Sequence, residues 1–245
     1  MKRTKNQILS CGAKLLAILA LVGLSFGATA NVQVGIYAKN EGRYDVALQV
    51  FRPLVKLGYG AAQYEMAQMY EDGLGLKKDM KAAIDLYRKA AVQGYAGAQF
   101  KLSRVYIEGK LAPVDVKESM KWLKKAANLG LTAAEFNLAV AYHDGELINV
   151  DYKKAFYWYK EAAFKNYVLA QYNLALMYAE GYGTKRDHKM SYVWNFIANQ
   201  NGYKDAGRSL NIDRRVLTVD ETKAARYKVK EVLRQIESKR TDLTR

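Results

Sequence analysis

The residues of this 245-residue chain that could perform acid–base or metal chemistry are few and isolated. There are two histidines, His143 and His188, and one cysteine, Cys11. Neither histidine stands in the H-x-x-x-H spacing that places two zinc ligands on one helix face. A single cysteine cannot build an iron–sulfur cluster or a Cys-based zinc site. We therefore predict no catalytic residue, no metal site and no cofactor.

Motifs for nucleophilic catalysis and phosphate binding are also missing from the sequence. No G-x-S-x-G elbow occurs. The sequences Gly73-Leu74-Gly75 and Gly181-Tyr182-Gly183 lack the third glycine and the preceding strand of a dinucleotide site. Acidic pairs such as Glu71-Asp72 fall where loops begin, which favours solvated helix ends over a glycosidase carboxylate pair. The sequence predicts a protein that is not an enzyme.

The first thirty residues have the pattern of a secretory signal peptide. A basic start precedes an apolar run of about 13 residues, Leu15 to Gly27, whereas a bilayer span needs about 20. Ala28-Thr29-Ala30 is the small-x-small pattern of a signal-peptidase site. We predict cleavage near Ala30 and a periplasmic or secreted mature chain. An uncleaved N-terminal anchor is the alternative, and it too would place the rest of the chain outside the cytoplasm.

The chain is strongly basic, with 39 lysines and arginines against 24 acidic residues and a formal net charge of +15. Because we expect export, nucleic acid is not an expected partner. Anionic envelope surfaces, such as lipid headgroups, lipopolysaccharide or acidic polysaccharide, fit this charge. Lysines that merely solvate exposed helix faces explain it equally well, so the charge alone leaves both interpretations open.

A period of 36 residues organises the chain from Ala61 onward. The segments AAQYEMAQMYEDG, GAQFKLSRVYIEG, AAEFNLAVAYHDG and LAQYNLALMYAEG align without a gap and begin at Ala61, Gly97, Ala133 and Leu169. Identical residues recur at this spacing, among them Tyr70, Tyr106, Tyr142 and Tyr178, and Asp79, Asp115, Asp151 and Asp187. A fixed period of this length is typical of repeat proteins.

Each repeat predicts two helices. Apolar residues at spacings of 3 and 4 mark the first helix, and Gly73 is expected to end it. Asp79 stands where the N-cap of the second helix belongs. That helix is expected to end at the Gly94 position, which Asn166 occupies in a later repeat. One helix pair cannot bury its apolar face alone, so we predict an all-α fold, an α-solenoid of stacked antiparallel helix pairs.

The period also predicts the domain boundaries. We expect a signal peptide at 1–30, an N-terminal capping helix pair at 31–60, four repeats over 61–204, and C-terminal capping helices with a tail at 205–245. The four repeats are 61–96, 97–132, 133–168 and 169–204. Thr218-Val219-Asp220-Glu221 predicts a capping box that opens a final helix ending near Ser238. Trp158 is expected to be buried between repeats.

The segments AQYEMAQMYEDGLGLKKD, from Ala62, and AQYNLALMYAEGYGTKRD, from Ala170, resemble Sel1-like repeats, which are tetratricopeptide-related helical hairpins. The Tyr87, Lys89, Ala90, Ala91 and Gly94 pattern belongs to the same resemblance. It covers Ala61–Gly202 and implies an exported bacterial adaptor rather than a catalyst. The family's paired cysteines, found in a subset of members, are not present in these repeats.

Two surfaces are candidate binding sites. The first is the least apolar face of the first helices, which solenoids of this type commonly turn toward their groove. Ordinary exposure explains these positions as well, and so the assignment is a prediction. Its residues are Lys101, Arg104, Asn137, Val140, Asn173 and Leu176. The second surface is a basic stripe on the second helices, formed by Lys117, Lys121, Lys124, Lys153 and Lys160.

Two functions follow from these surfaces. The chain is expected to be a non-catalytic scaffold or regulator in the periplasm or outside the cell that binds a protein partner of the cell envelope through the solenoid groove. The alternative is a binder of anionic envelope polymer, polysaccharide or lipopolysaccharide, through the basic stripe. In both cases we expect a monomer.

Overall fold

The computed structural model describes residues 31–109 and 112–242, and the predicted signal peptide lies outside these residues. The described residues form helices joined by short loops, with no strand among them, which confirms the all-α prediction. Residues 31–40 are helical and belong to α1. The remaining helices are α2 (Tyr44–Lys56), α3 (Gly60–Asp72), α4 (Met80–Val92), α5 (Ala96–Glu108), α6 (Val116–Asn128), α7 (Thr132–Asp144), α8 (Tyr152–Phe164), α9 (Val168–Glu180), α10 (His188–Gln200), α11 (Lys204–Val216) and α12 (Val219–Asp242).

The predicted helix boundaries are confirmed by the backbone. Gly73 has a φ of 74° and caps α3 in the left-handed conformation, which glycine adopts without steric cost. Asp79 accepts a hydrogen bond from the backbone N–H of Ala82 at the start of α4. Asp115, Asp151 and Asp187 cap α6, α8 and α10 in the same way.

The glycine position that follows each second helix also behaves as predicted. Asn166, with a φ of 64°, is the non-glycine residue with positive φ among the described residues. Asparagine tolerates this region better than other side chains do. The tight connection therefore keeps its geometry after α8 without a glycine.

The described residues form two compact units, which divide between Leu102 and Ser103. In the first unit, α3 packs against α2 and α4. In the second unit, consecutive helices from α6 to α11 pack against one another, and α12 packs on α10. Alanines with no exposed surface let neighbouring backbones approach closely, and larger apolar side chains fill the remaining space. Ala62, Ala90, Ala134, Ala162, Ala170 and Ala198 are such positions.

The C-terminal helix is capped as predicted but is longer than expected. Thr218 and Glu221 form a reciprocal capping box, in which the Glu221 N–H donates to the Thr218 hydroxyl at 3.2 Å and the Thr218 N–H donates to the Glu221 carboxylate at 3.0 Å. The helix continues past Ser238 to Asp242. Lys239 reaches the Glu161 carboxylate at 3.4 Å and lies 5.3 Å from the Phe164 ring centre, which holds this last turn against α8.

The tryptophan column is unevenly buried. Trp194 is 1% exposed and meets the Phe164 ring edge-to-face at 5.1 Å. Trp158, expected to be buried, is only half-buried. Its ring packs edge-to-face on that of its neighbour Tyr157, with the ring centres 4.9 Å apart. The repeat period gives these residues the same helix position, but it does not fix how much neighbouring structure covers each one.

Candidate interaction surface

The predicted first-helix face is partly exposed in the second unit. Asn137 is exposed and Val140 half-buried on one face of α7, three residues apart. Asn173 and Leu176 occupy the same two positions of α9, and Leu176 is 37% exposed. Arg104 is exposed on α5 and pairs with Glu108 one turn later. These five side chains are all accessible to a partner, but they differ in the fraction of their surface that is exposed.

Lys101, the remaining residue of this prediction, lies in the first unit and already has protein partners. Its ammonium group donates to both carboxylate oxygens of Glu71, at 2.8 and 3.0 Å. The Tyr87 hydroxyl donates to the same carboxylate at 2.5 Å. Burial and this hydrogen bond raise the pKa of Tyr87 above its usual range. Lys101 therefore contributes to the contact between α3, α4 and α5.

Glu65, which the repeat pattern places on the same face, is buried rather than exposed. Its carboxylate is paired with the Lys39 ammonium group of α1, which also donates to Gln68 at 2.7 Å. The first-helix face is therefore used for contacts between helices in the first unit. A position that varies in charge between repeats need not be free for a ligand, because each repeat has a different neighbour.

Asn173, in the second unit, also contacts a neighbouring helix. It hydrogen-bonds to the hydroxyl of Tyr159, whose pKa is raised by burial and lowered by this bond. Asn137 donates to the carbonyl of Ala133 in its own helix at 2.7 Å. Leu176 and Val140 have no polar group to satisfy, so they are the members of the predicted face that a partner can cover without breaking hydrogen bonds.

The basic stripe is divided among different places on the second unit. Lys117, Lys121 and Lys124 of α6 line one cavity together with Val116, Met120 and Ile148. Lys153 is exposed at the start of α8. Lys160 lines a separate cavity with residues of α12. The structure thus brings three of the five predicted lysines together.

A buried polar column in the first helices was missed by the sequence interpretation. Its members, each 7% exposed or less, are Gln63, Gln99, Glu135 and Gln171. Gln99 donates to the carbonyl of Ala91 at 3.0 Å, and Gln171 donates to that of Ala163 at 3.3 Å. Gln99 and Gln171 thus join a first helix to the preceding second helix, whereas Gln63 and Glu135 accept hydrogen bonds from Gln93 and Lys165 at the end of the following one. Their recurrence at the repeat spacing was a signal that could have identified them.

A second missed cluster surrounds Asp213 of α11, which is 2% exposed. Its carboxylate accepts hydrogen bonds from Ser191 at 3.0 Å and from Asn195 at 2.8 Å. The Nδ1 atom of His188 lies 3.6 Å from it. Burial raises the pKa of Asp213, while these three neighbours lower it. The serine and asparagine on the packed face of α10 were the available signal.

His143 lies in an aromatic group rather than among metal ligands. Its ring meets those of Tyr152 and Tyr182, which stack on each other at 4.6 Å. Among residues 31–109 and 112–242, no group of three or more His, Cys, Asp or Glu side chains is arranged to hold a metal ion. Over the same part of the chain, no helix has both the length and the apolar character needed to cross a membrane.

Comparison with known proteins identifies the repeat. The model of the Sel1 repeat matches residues 60–95, 96–131, 132–166 and 168–194. Among curated proteins, none matches the chain.

Two solved structures are similar over most of the chain. One is a protective antigen present in uropathogenic Escherichia coli strains that displays an SLR fold. It is 28% identical with a TM-score of 0.73, and the match covers 87% of this chain and 47% of that one, so this chain spans about half its length. The other, a Sel1 repeat protein from Oxalobacter formigenes, is 32% identical over 73% of both chains, with a TM-score of 0.66.

The repeat match and the structural similarity agree with the helix pattern. The four matched segments cover more than half of the chain, and each contains a helix pair or most of one. The predicted α-solenoid fold class is that of these relatives. The chain therefore belongs to the Sel1 repeat family.

Proposed function

We propose that this protein is a non-catalytic scaffold that binds a protein partner of the cell envelope. Sel1-repeat proteins generally mediate protein–protein interaction. The proposed contact face, called here the first-helix face, consists of Arg104, Asn137, Val140, Asn173 and Leu176 of the second unit. Lys101 is omitted from this face because its ammonium group is bound to Glu71.

Exposed Leu176 is the observation that carries this proposal. Leucine at 37% exposure sits on a helix face whose neighbouring position is the polar Asn173, and α7 repeats the pattern with Val140 and Asn137. Protein interfaces combine an apolar centre with polar side chains at the rim. Burial of these apolar side chains would supply affinity, and the asparagines and Arg104 would supply hydrogen bonds and charge.

The test is crosslinking in intact cells followed by purification of the tagged protein. Val140→Asp with Leu176→Asp should reduce recovery of the crosslinked partner at least about tenfold, because two charges would be buried without partners. Ile212→Asp is the matched control, since Ile212 is 61% exposed on α11 outside the face. Equal recovery from both variants would contradict the proposal.

The proposed location is the periplasm or the cell exterior, after cleavage near Ala30. Support comes from the basic start, apolar run and small-x-small sequence of residues 1–30. N-terminal sequencing of the exported protein should begin at Asn31-Val32-Gln33. A mature form that retains Lys2 would contradict this location of the cleavage site.

A second candidate function is binding of an anionic envelope polymer. It is favoured by the grouping of Lys117, Lys121 and Lys124 at one cavity. Such binding should weaken steeply with salt, because it relies on exposed charges. Binding at the first-helix face should change less, since leucine, valine and asparagine supply most of that surface.

A further inference from the structure

A cavity of about 700 Å³ that is widely open to solvent borders α6 in the second unit. Aliphatic side chains of Val116, Met120 and Ile148 line it, and three lysines supply its charged groups. These lysines are Lys117, Lys121 and Lys124. A volume of this size is typical of small-molecule sites. The long methylene stems of the lysines add to the apolar wall while their ammonium groups stay at the rim.

The equivalent positions of α4 differ from those of α6 at one charge. In α4, Asp85 occupies the position that Lys121 has in α6, and it pairs with Arg88 at 3.3 Å. That pair is neutral, so Lys81 is the net positive charge at the three equivalent positions of α4. In α6 the corresponding side chains are Lys121 and Lys124, so both are cations. The three positions are therefore all cationic in α6 but not in α4, so the repeat does not require this charge.

Neighbouring acidic groups neutralise this charge only in part. Lys121 donates to Glu118 of its own helix at 2.8 Å. Lys124 lies 5.9 Å from the ring centre of Tyr142. Lys117 forms no ion pair with another residue in the described part of the chain. Two of the three ammonium groups thus lie beside the cavity without a carboxylate partner in residues 31–109 and 112–242.

We propose that this cavity binds one molecule of an aliphatic phosphate, with its hydrocarbon tail against Val116, Met120 and Ile148 and its phosphate among the three lysines. Lysine is a common phosphate ligand, and burial of the tail gains free energy in proportion to its apolar area. A polysaccharide fits less well, because the aliphatic side chains offer its hydroxyl groups no hydrogen-bond partner. This site does not depend on the scaffold role, and it assigns to an aliphatic phosphate the three lysines that the second candidate function assigns to an envelope polymer.

The test is isothermal titration of the purified chain with dodecyl phosphate below its critical micelle concentration. One molecule should bind per chain. Lys117→Gln with Lys124→Gln should weaken binding about tenfold, the effect expected for lost hydrogen bonds to a charged group. Ile148→Asn, in a half-buried loop position, should also weaken it. Lys81→Gln with Arg88→Gln removes the equivalent charges from α4 and should change binding less than about twofold.

Two further ligands separate the alternatives. Dodecyl maltoside has the same tail and no charge, and it should bind more weakly than dodecyl phosphate. Alginate has no hydrocarbon tail, so its affinity should be the same for the Ile148→Asn variant and the unaltered chain. Circular dichroism of each variant should retain the helical spectrum. The proposal is overturned if dodecyl phosphate binds the Lys117→Gln, Lys124→Gln variant as well as the unaltered chain. It is equally overturned if alginate binds through these lysines and dodecyl phosphate does not.

Discussion

Lys165 donates a hydrogen bond to the carboxylate of Glu135 at 2.5 Å, and the two side chains are 12% and 3% exposed. The same spacing of 30 residues joins neutral side chains in other repeats, Gln93 to Gln63 and Asn201 to Gln171. One repeat therefore has a buried ion pair where two others have a pair of amides.

With a glutamate where other repeats have a glutamine, one carboxylate oxygen of Glu135 has no hydrogen-bond donor. Gln99 and Gln171 use their amide N–H groups to reach a carbonyl eight residues earlier, on Ala91 and Ala163. A carboxylate cannot donate in this way, and the Oε2 atom of Glu135 has no hydrogen-bond partner among the described residues. Burial raises the pKa of Glu135, and Lys165 lowers it.

Glu135→Gln is expected to destabilise the protein by about 2 kcal/mol or more at neutral pH, because it leaves the Lys165 ammonium group, whose side chain is 12% exposed, without a carboxylate partner. Lys165 would then have one remaining hydrogen-bond acceptor, the carbonyl of Gly130, to which it donates at 2.8 Å. The measurement is urea unfolding. The mirror variant Gln171→Glu should destabilise by about 2 kcal/mol or more, since it buries a carboxylate without a cation. A gain of stability in Glu135→Gln would contradict the expectation, because it would mean that the lost carboxylate had cost more free energy than its pairing with Lys165 returned.

Asp213→Asn is expected to change how stability depends on pH. Because burial raises the pKa of Asp213, the folded state holds its proton above the ordinary carboxyl pKa of about 4. The unfolded chain then binds fewer protons, so this group's contribution to stability falls as pH rises from about 4 through the raised pKa. In Asp213→Asn this fall should disappear.

The comparison requires urea unfolding at a series of pH values between about 4 and 7. The new amide also gives a donor to Asn195, whose Oδ1 atom has no partner among the described residues. The variant should therefore exceed the unaltered chain in stability at pH 7. Asp205→Asn, at an exposed position of α11, should follow the unaltered chain. Parallel pH profiles for Asp213→Asn and the unaltered chain would contradict the expectation.

Trp194→Ala should cost about 3–5 kcal/mol, the usual range for truncation of a buried large aromatic side chain. Trp194 is 1% exposed and in contact with Phe164. Trp158→Ala, at the same repeat position, should cost clearly less because that side chain is half-buried. Thermal and urea unfolding of the two variants provide the comparison. Equal losses would show that exposure does not account for the difference between these positions.

Gly183→Ala should destabilise more than Gly202→Ala. Both glycines have positive φ, 71° and 92°, where alanine is strained by about 1–2 kcal/mol. A methyl group on Gly202 meets no atom within 4 Å, whereas on Gly183 it would lie 2.1 Å from the carbonyl oxygen of Tyr152. The loop after α9 must therefore shift in the Gly183 variant. Matching unfolding midpoints for the two variants would contradict this difference.

The fold was predictable because its signals are local and repeated. Asp79 and Gly73 act within a few residues of their own position, so sequence alone places the helix ends. The contacts of Lys101 and Glu65 were not predictable, because their partners Glu71 and Lys39 lie 30 and 26 residues away. The exposure of Trp158 likewise depends on neighbouring helices rather than on its own repeat.

For the candidate sites too, the local features were predictable from the sequence and the contacts between distant residues were not. Periodicity placed Lys117, Lys121 and Lys124 on one helix, but their shared cavity depends on Ile148 in the loop after α7. Asp213 lies in the predicted C-terminal capping helices, yet its carboxylate is buried and accepts hydrogen bonds from Ser191 and Asn195 on α10. Contacts of this kind, between residues of different repeats, can be identified only from the tertiary structure.

A photo-activated crosslinking amino acid at position 176 tests the central claim, that the first-helix face binds a protein partner, most directly. Introduced in place of Leu176 and irradiated in intact cells, it should give one discrete covalent adduct with another protein. The same amino acid in place of Arg208, exposed on α11, should give none. Export and helix content should be unchanged in both. Adducts from position 208 but not from 176, or identical adducts from both, would contradict the proposed face.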